Sequence, residues 1–350
     1  MFTTHRIAFG PAHERLKSLP DDSVELVVTS PPYPMVEMWD ESFSTQDEAI
    51  AETLRSGDGD RAFDRMHRLL DRVWAEVARV VRPGGFVCIN IGDATRTLGD
   101  FRLYSNHSQV LAFFLRNGFH NLPNILWRKP TNAPNKFMGS GMLPAGAYVT
   151  LEHEYILIFR KGGKRLFRAP SEKQLRAESA FFWEERNQWF SDVWELRGVG
   201  QKLGDGAARQ RSGAYPFEIP YRLIQMFSLK GDTVLDPFAG TGTTLLAAAV
   251  SARNSIGYEL DKVLKTNIEA TLSEREQLNA PTLARLRAHE TFVLKKQAEG
   301  HVFRHHNDVY DCPVMTRQET RLCLPFVREI QPIAEGCWQA IHHQNLLQNA

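Results

Sequence analysis

Two short segments constrain this chain more than any bulk property. Val24-Glu25-Leu26-Val27-Val28 is a β-branched run that empties directly into Ser30-Pro31-Pro32-Tyr33. Far downstream, Thr233-Val234-Leu235 empties into Asp236-Pro237-Phe238-Ala239-Gly240-Thr241-Gly242-Thr243-Thr244 and then an Ala-rich stretch ending at Val250. β-Branched residues favour strands. Consecutive prolines cannot sit inside a central strand, because neither donates to the ladder, so the first loop begins where its strand stops. Gly-x-Gly between a strand and a helix lets backbone approach a ligand at the helix N-terminus. The fold must therefore accommodate two strand-end loops, the position at which open α/β sheets bind ligands.

The intervening pattern fits such a sheet. Apolar positions at Phe63, Met66, Leu70, Val73, Val77 and Val80 predict an amphipathic helix over 62–81, stopped by Pro83-Gly84-Gly85. Strands are expected at 7–9, 24–28, 86–91, 124–127, 155–159, 233–235 and 255–258. Helices are expected over 12–19, 107–116, 218–228 and 243–250, with Pro220 in a first turn, where its missing amide is harmless. Seven strands mostly separated by helices predict an α/β fold with a mainly parallel sheet. Residues 129–147 and 201–212 read as loops. The stretch 41–61, rich in acids and containing Gly57-Asp58-Gly59, reads as an exposed insertion beside the first loop, either a lid or a surface excursion.

A net charge of +1 over 350 residues excludes a global attractive field, so any nucleic-acid contact must use a local basic patch. Cys88, Cys312, Cys323 and Cys337 form no CxxC pair, which argues against a zinc ribbon or a thioredoxin motif. His301, His305, His306, His342 and His343 match no standard zinc spacing and are read as solvated, so no metal is expected. The N-terminus has no signal-peptide shape and no run is long enough to span a bilayer, so a cytoplasmic location and no membrane partner are expected.

Glu259 lies 19 residues after Gly240 at the next predicted strand end, where a carboxylate can accept both ribose hydroxyls of a nucleoside. Leu245 occupies the place of the third glycine of the dinucleotide fingerprint, and no P-loop lysine follows. Asp236 and the Pro237-Phe238 wall suit a cationic ligand without phosphates. A nucleotide-binding Rossmann-type oxidoreductase is the more remote alternative, and it leaves Ser30-Pro31-Pro32-Tyr33 unexplained. A non-catalytic DNA-binding protein on the same fold is disfavoured by the intact Ser-Pro-Pro-Tyr loop and Glu259.

The segment Asp236 to Thr244 closely resembles the S-adenosylmethionine loop of amino-group DNA methyltransferases, and Gly257-Tyr258-Glu259-Leu260-Asp261 resembles their ribose-binding strand end. Ala214-Tyr215-Pro216-Phe217 through Phe227 resembles the helix that encloses the methionine part, which nominates Phe217. Ser30-Pro31-Pro32-Tyr33 resembles the family's (Asp/Asn/Ser)-Pro-Pro-(Tyr/Phe) signature. The resemblance implies S-adenosyl-L-methionine as cofactor, with Asp236, Pro237, Phe238, Gly240, Gly242, Thr243, Thr244 and Glu259 around it. It implies that the Ser30 hydroxyl and the Pro31 carbonyl accept the two hydrogens of an exocyclic amine, with Pro32 stiffening the loop. Tyr33 would stack on a flipped-out base. In the family, Asp at the first position accompanies adenine-N6 transfer and Ser accompanies cytosine-N4 transfer. Ser30 thus implies cytosine N4, with adenine N6 as the alternative.

The catalytic loop precedes the cofactor loop, which in the resemblance marks the circularly permuted beta class. The implied fold is a seven-stranded, mostly parallel sheet of the S-adenosylmethionine-dependent methyltransferase type. A catalytic half would span 1–160, a target-recognition segment 161–212, a cofactor half 213–264 and a C-terminal extension 265–350. Asn90-Ile91-Gly92-Asp93, Trp127-Arg128-Lys129-Pro130 and Glu152-His153-Glu154-Tyr155 also resemble the family, while Pro11 departs from its usual acid. Arg160, Lys161, Lys164, Arg165 and Arg168, followed by Lys173 and Arg176, are candidate DNA-binding residues, with Phe181, Phe182, Trp183 and Trp189 behind them. Implied partners are double-stranded DNA, a separate cognate restriction endonuclease and a second copy in a homodimer. Extra DNA recognition or dimer contact is the expected role of 265–350.

Overall fold

The computed structural model describes residues 1–129, 139–198, 215–273 and 278–343. The strands are β1 (Phe2–Phe9), β2 (Val24–Thr29), β3 (Val81–Ile91), β4 (Ala94–Leu98), β5 (Asp100–Tyr104), β6 (Phe119–Asn121), β7 (Ile125–Arg128), β8 (His153–Lys161), β9 (Val193–Glu195), β10 (Thr233–Asp236), β11 (Asn254–Glu259), β12 (His305–Asn307), β13 (Cys312–Val314), β14 (Phe326–Ala334) and β15 (Cys337–His343). The helices are α1 (Ala12–Arg15), α2 (Asp40–Gln46), α3 (Glu48–Arg55), α4 (Gly59–Val80), α5 (Asn106–Arg116), α6 (Pro170–Glu178), α7 (Trp183–Trp189), α8 (Glu218–Phe227), α9 (Thr243–Val250), α10 (Lys265–Ser273) and α11 (Ala280–Ala298).

One large sheet carries the chain, in the order β14-β15-β1-β11-β10-β2-β3-β8-β7-β9, with β6 also paired to β8. The run β1-β11-β10-β2-β3 is parallel throughout, and β8 enters antiparallel to β3. The seven strands expected from the sequence are thus its centre. β10 and β11, late in the chain, lie between β1 and β2 from its start, so the order along the chain is permuted relative to the order across the sheet. Parallel strands carry helices on both faces, which explains the near-continuous apolar runs. Val24, Leu26, Val27 and Val28 are all at most 1% exposed.

The helix predicted over 62–81 is α4. Met66, Leu70, Val73, Trp74, Val77 and Val80 form its buried face, and Asp58 caps it by accepting from the Arg61 amide at 3.1 Å. Burying each such side chain is worth about 1.5–3 kcal/mol, which is why the 3.6-residue period was readable.

Several expectations change. The stretch 41–61 is more than an exposed excursion: α2 and α3 bury Phe43 and Ile50 in the main core, and Arg96 holds Asp40 through paired bonds of 2.8 and 2.6 Å. The helix expected over 12–19 is short, passing into a 3-10 turn at Leu16–Ser18. The C-terminal extension supplies α10 and α11, and its β14-β15 hairpin adds to the β1 edge. His342 is not solvated but buried in that edge. The loop expected over 201–212 and the central part of the loop over 129–147 lie outside the described residues.

Candidate active site

β2 and β10 are parallel neighbours, with Leu26 opposite Val234 and Val27 opposite Leu235. Their carboxyl ends therefore coincide, and the two loops singled out in the sequence leave the sheet side by side. A side-chain bond ties them together: Thr29 Oγ1 donates to Asp236 Oδ1 at 2.6 Å. Asp236 also accepts from Thr244 Oγ1 at 2.5 Å and from the Phe238 amide at 3.0 Å. Tyr215 reaches the same knot through Thr244 Oγ1 at 2.5 Å. Burial pushes the Asp236 carboxyl up, and these donors partly offset it. Asp236 is thus a buried brace whose two oxygens are engaged by the chain.

The glycines of the second loop are required by its backbone. Gly240 has φ +53° and Gly242 φ +83°, left-handed values that L side chains avoid. A Cβ on Gly240 would meet nothing within 4 Å, so the loop has room above it. Glu259 ends β11 beside this opening. One of its oxygens accepts from the Gly240 amide at 2.8 Å and the other from the Asp261 amide at 2.9 Å. Burial raises its carboxyl to about 6, with the two amides acting against that rise. Each oxygen retains lone pairs for a hydroxyl donor. Thr243 and Thr244 open α9, Phe238 packs edge-on against Trp74 at 5.7 Å, and Pro237 is buried. Phe217 stands at the start of α8 and stacks on Tyr221 at 5.4 Å. An open glycine turn with a carboxylate at the neighbouring strand end and the Phe238 ring in the same loop fits S-adenosylmethionine.

The first loop forms a polar cluster with β3 and β8. Tyr33 Oη donates to Glu154 Oε2 at 2.8 Å and accepts from Asn90 Nδ2 at 2.7 Å. Asn90 Nδ2 also reaches Glu154 Oε2 at 2.7 Å and Ser30 Oγ at 3.4 Å. Ser30 Oγ lies 3.1 Å from Tyr33 Oη. Because the one phenolic proton goes to Glu154, the Ser30 hydroxyl is the donor in that last contact. Its oxygen takes the long 3.4 Å bond from Asn90 and keeps one lone pair for a further donor. Burial, then the Glu154 charge, pushes the Tyr33 phenol well above its usual range, so it stays neutral. Lys129 Nζ pairs with the other Glu154 oxygen and lies 4.3 Å over the Trp127 ring. Pro31 is buried, Pro32 half-buried, and no donor among the described residues reaches the Pro31 carbonyl.

Asn90, Lys129 and Glu154 each lie in a motif that resembles the family, but nothing local marks the three as partners. Their distance along the chain hides that β3, β7 and β8 are sheet neighbours.

The basic residues fall elsewhere. Arg160 pairs with Phe86 and Tyr155 with Ile91, so β8 runs from the active-site end of the sheet to its opposite end. Arg160, Lys161, Lys164, Arg165 and Arg168 therefore do not line the site around Ser30. Lys161 is committed to Asp22 at 2.8 Å and to the Val81 carbonyl at 2.7 Å, and Arg165 to Asp232 at 2.6 Å. Among the described residues, no group of three or more His, Cys, Asp or Glu could hold a metal, and no helix is long and apolar enough to cross a membrane.

Comparison with known proteins agrees with this geometry. The family model described as DNA methylase (N6_N4_Mtase) matches residues 24–270. The chain is 52% identical over 348 residues to the Type II methyltransferase M.MthZI of Methanothermobacter thermautotrophicus, covering 98% of this chain and 96% of that one. It is 50% identical over 291 residues to the Type II methyltransferase M.MjaI of Methanocaldococcus jannaschii, covering 79% and 93%. The solved structure of TTHA0409 from Thermus thermophilus, complexed with S-adenosyl-L-methionine, superposes with a TM-score of 0.56 at 33% identity over 76% of this chain and 94% of that one. The chain belongs to the DNA methylase family of amino-group methyltransferases, and S-adenosyl-L-methionine is its methyl donor.

Proposed function

We propose that this Type II DNA methyltransferase acts on the exocyclic N4 of cytosine in double-stranded DNA, as the modification partner of a separate restriction endonuclease. The observation that carries the reading is the 3.1 Å contact of Ser30 Oγ with a Tyr33 Oη that is itself 2.8 Å from Glu154 Oε2. An exocyclic amine is a poor nucleophile because its lone pair is delocalised into the ring. Acceptors placed at its hydrogens favour a pyramidal nitrogen with a localised lone pair, which is preorganised transition-state electrostatics. A serine hydroxyl serves as such an acceptor only when its own proton points elsewhere. Here Tyr33 Oη takes that proton because Glu154 takes the phenolic one. The unengaged Pro31 carbonyl is the second acceptor. Tyr33, anchored at its hydroxyl, offers a ring face to a base flipped out of the duplex. When bound, S-adenosylmethionine supplies a sulfonium methyl carbon open to in-line displacement. The chain contributes mainly position: the Thr29–Asp236 bond sets the catalytic loop against the cofactor loop.

Ser30 in place of Asp favours cytosine over adenine by resemblance to the family. The test is direct. The enzyme is incubated with unmethylated DNA and S-adenosylmethionine, and the nucleosides are resolved by mass spectrometry. N4-methyldeoxycytidine is expected. N6-methyldeoxyadenosine would overturn the choice of base, and no methylated nucleoside would overturn the whole reading.

A further inference from the structure

The end of the sheet opposite the methyl-transfer site holds a cavity of about 980 Å³, lined by the start of β3, the β8–α6 segment, α6, α7 and the end of α8. Asn90 lies six residues along β3 from Gly84, and Arg165 packs at Gly84, so the cavity is roughly 20 Å from the catalytic loop at about 3.3 Å per strand residue. Gly84 has φ +83°, and a Cβ there would lie 2.8 Å from the Arg165 backbone nitrogen, so the glycine is what lets this segment dock under β3.

Seven cationic side chains line the cavity against two carboxylates, Glu25 and Glu319. Both acids are already engaged. Glu25 accepts from Arg82 at 3.0 Å and from the Thr233 amide at 2.8 Å, while Glu319 accepts from the Trp183 and Thr316 amides at 2.8 and 2.7 Å. Lys164, Lys173, Arg176 and Arg186 are all exposed, and none has a carboxylate partner among the described residues. The Phe167 ring holds two guanidinium groups in place, Arg176 at 4.7 Å and Arg165 at 5.2 Å, which limits the entropy lost when they grip an anion. Lys173 and Arg176 are three apart on α6 and share a face.

We propose that this cavity is a second DNA-backbone site, gripping a duplex segment other than the one that presents the target base. The inference rests on the DNA methyltransferase reading. Four unneutralised cations spread over a loop and two helices suit a phosphodiester ribbon, whose charge comes one unit per phosphate. A nucleoside polyphosphate concentrates its charge instead. The aromatic rings stiffen the cations, and phosphates recur at the same spacing whatever the bases, so the site binds without sequence preference.

The test uses the full-length enzyme and its Lys164→Glu/Lys173→Glu variant, two exposed positions whose substitution leaves the core intact. Both proteins are titrated with a labelled duplex of about 12 base pairs, roughly one helical turn. Binding stoichiometry and its salt dependence are followed by fluorescence anisotropy and sedimentation. The wild type is expected to take up a second, weaker duplex. The variant is expected to lose that site alone, with affinity there falling about tenfold or more and the log–log salt slope shrinking by about 2, near 0.9 per lost phosphate contact. Methylation of the same duplex should proceed at the wild-type rate. A single duplex bound by the wild type overturns the inference, as does an unchanged second site in the variant. Loss of methylation together with binding would place the cluster at the target-base face and overturn it too. Preferential uptake of an RNA duplex at the second site would exclude DNA as the occupant. Absence of methyl transfer by the wild type on any DNA is a separate failure, of the functional reading itself.

Discussion

At the scale of single residues, the acceptor role proposed for Ser30 depends on its own proton pointing to Tyr33. Ser30→Ala removes an acceptor and should lower turnover about 100-fold or more, the usual cost of losing one group that stabilises a transition state. S-adenosylmethionine affinity should not change, because Ser30 lies on a different loop from Gly240 and Glu259. Single-turnover methyl transfer and calorimetric cofactor binding separate the two quantities. Normal turnover in Ser30→Ala would refute the acceptor role. Glu259 gives a pH signature. Its folded pKa is raised to about 6, so it is ionised above neutrality and takes up a proton as pH falls through about 6. Protonation removes acceptor capacity for the ribose hydroxyls, so cofactor affinity should decline between about pH 7 and 5.5. Glu259→Gln should bind more weakly throughout and lose that dependence. An identical pH profile in wild type and variant would show that Glu259 does not meet the cofactor.

At the scale of elements, the β15-β1-β11 edge carries a buried chain of hydrogen bonds. His342 Nε2 meets Thr3 Oγ1 at 2.8 Å, Thr3 Oγ1 meets His5 Nε2 at 3.0 Å, and His5 Nδ1 meets Ser255 Oγ at 2.8 Å. Burial lowers His5 to about 3 and His342 to about 4, with the charge of His342 adding to the first and the N-terminal charge to the second. Both rings are neutral in the fold, so their contribution to stability is complete above about pH 6.5 and is lost as pH falls toward about 4. The melting temperature should drop across that window, and His342→Gln should show a shallower drop. Parallel slopes in thermal denaturation at stepped pH would refute the assignment. The chain read residue by residue makes His342 solvated, because strand pairing alone puts it beside Thr3.

At the scale of the whole molecule, the C-terminal hairpin is part of the sheet. β15 pairs with β1 from Phe2 opposite Ile341 to Arg6 opposite Cys337, and Val327, Ile330, Trp338 and Ala340 are buried there. Removing residues 326–343 should expose the β1 edge and an apolar face, giving an aggregated or oligomeric product on size exclusion. A monodisperse, fully active truncation would show the hairpin to be dispensable. Much of the rest was legible from local pattern. Strand composition, the helical period of α4 and the two loop motifs are written in neighbouring residues, because propensity, periodicity and turn chemistry act over a few positions. The amino-acid sequence by itself determined an α/β sheet, two ligand-type loops and a likeness to amino-group methyltransferases. Tertiary structure alone decided that Thr29 and Asp236 brace those loops, that Asn90, Tyr33 and Glu154 gather around Ser30, and that the basic segment leaves the end of the sheet opposite Ser30. Those outcomes depend on which strands pair and in which direction, and pairing is a long-range contact that no local pattern encodes.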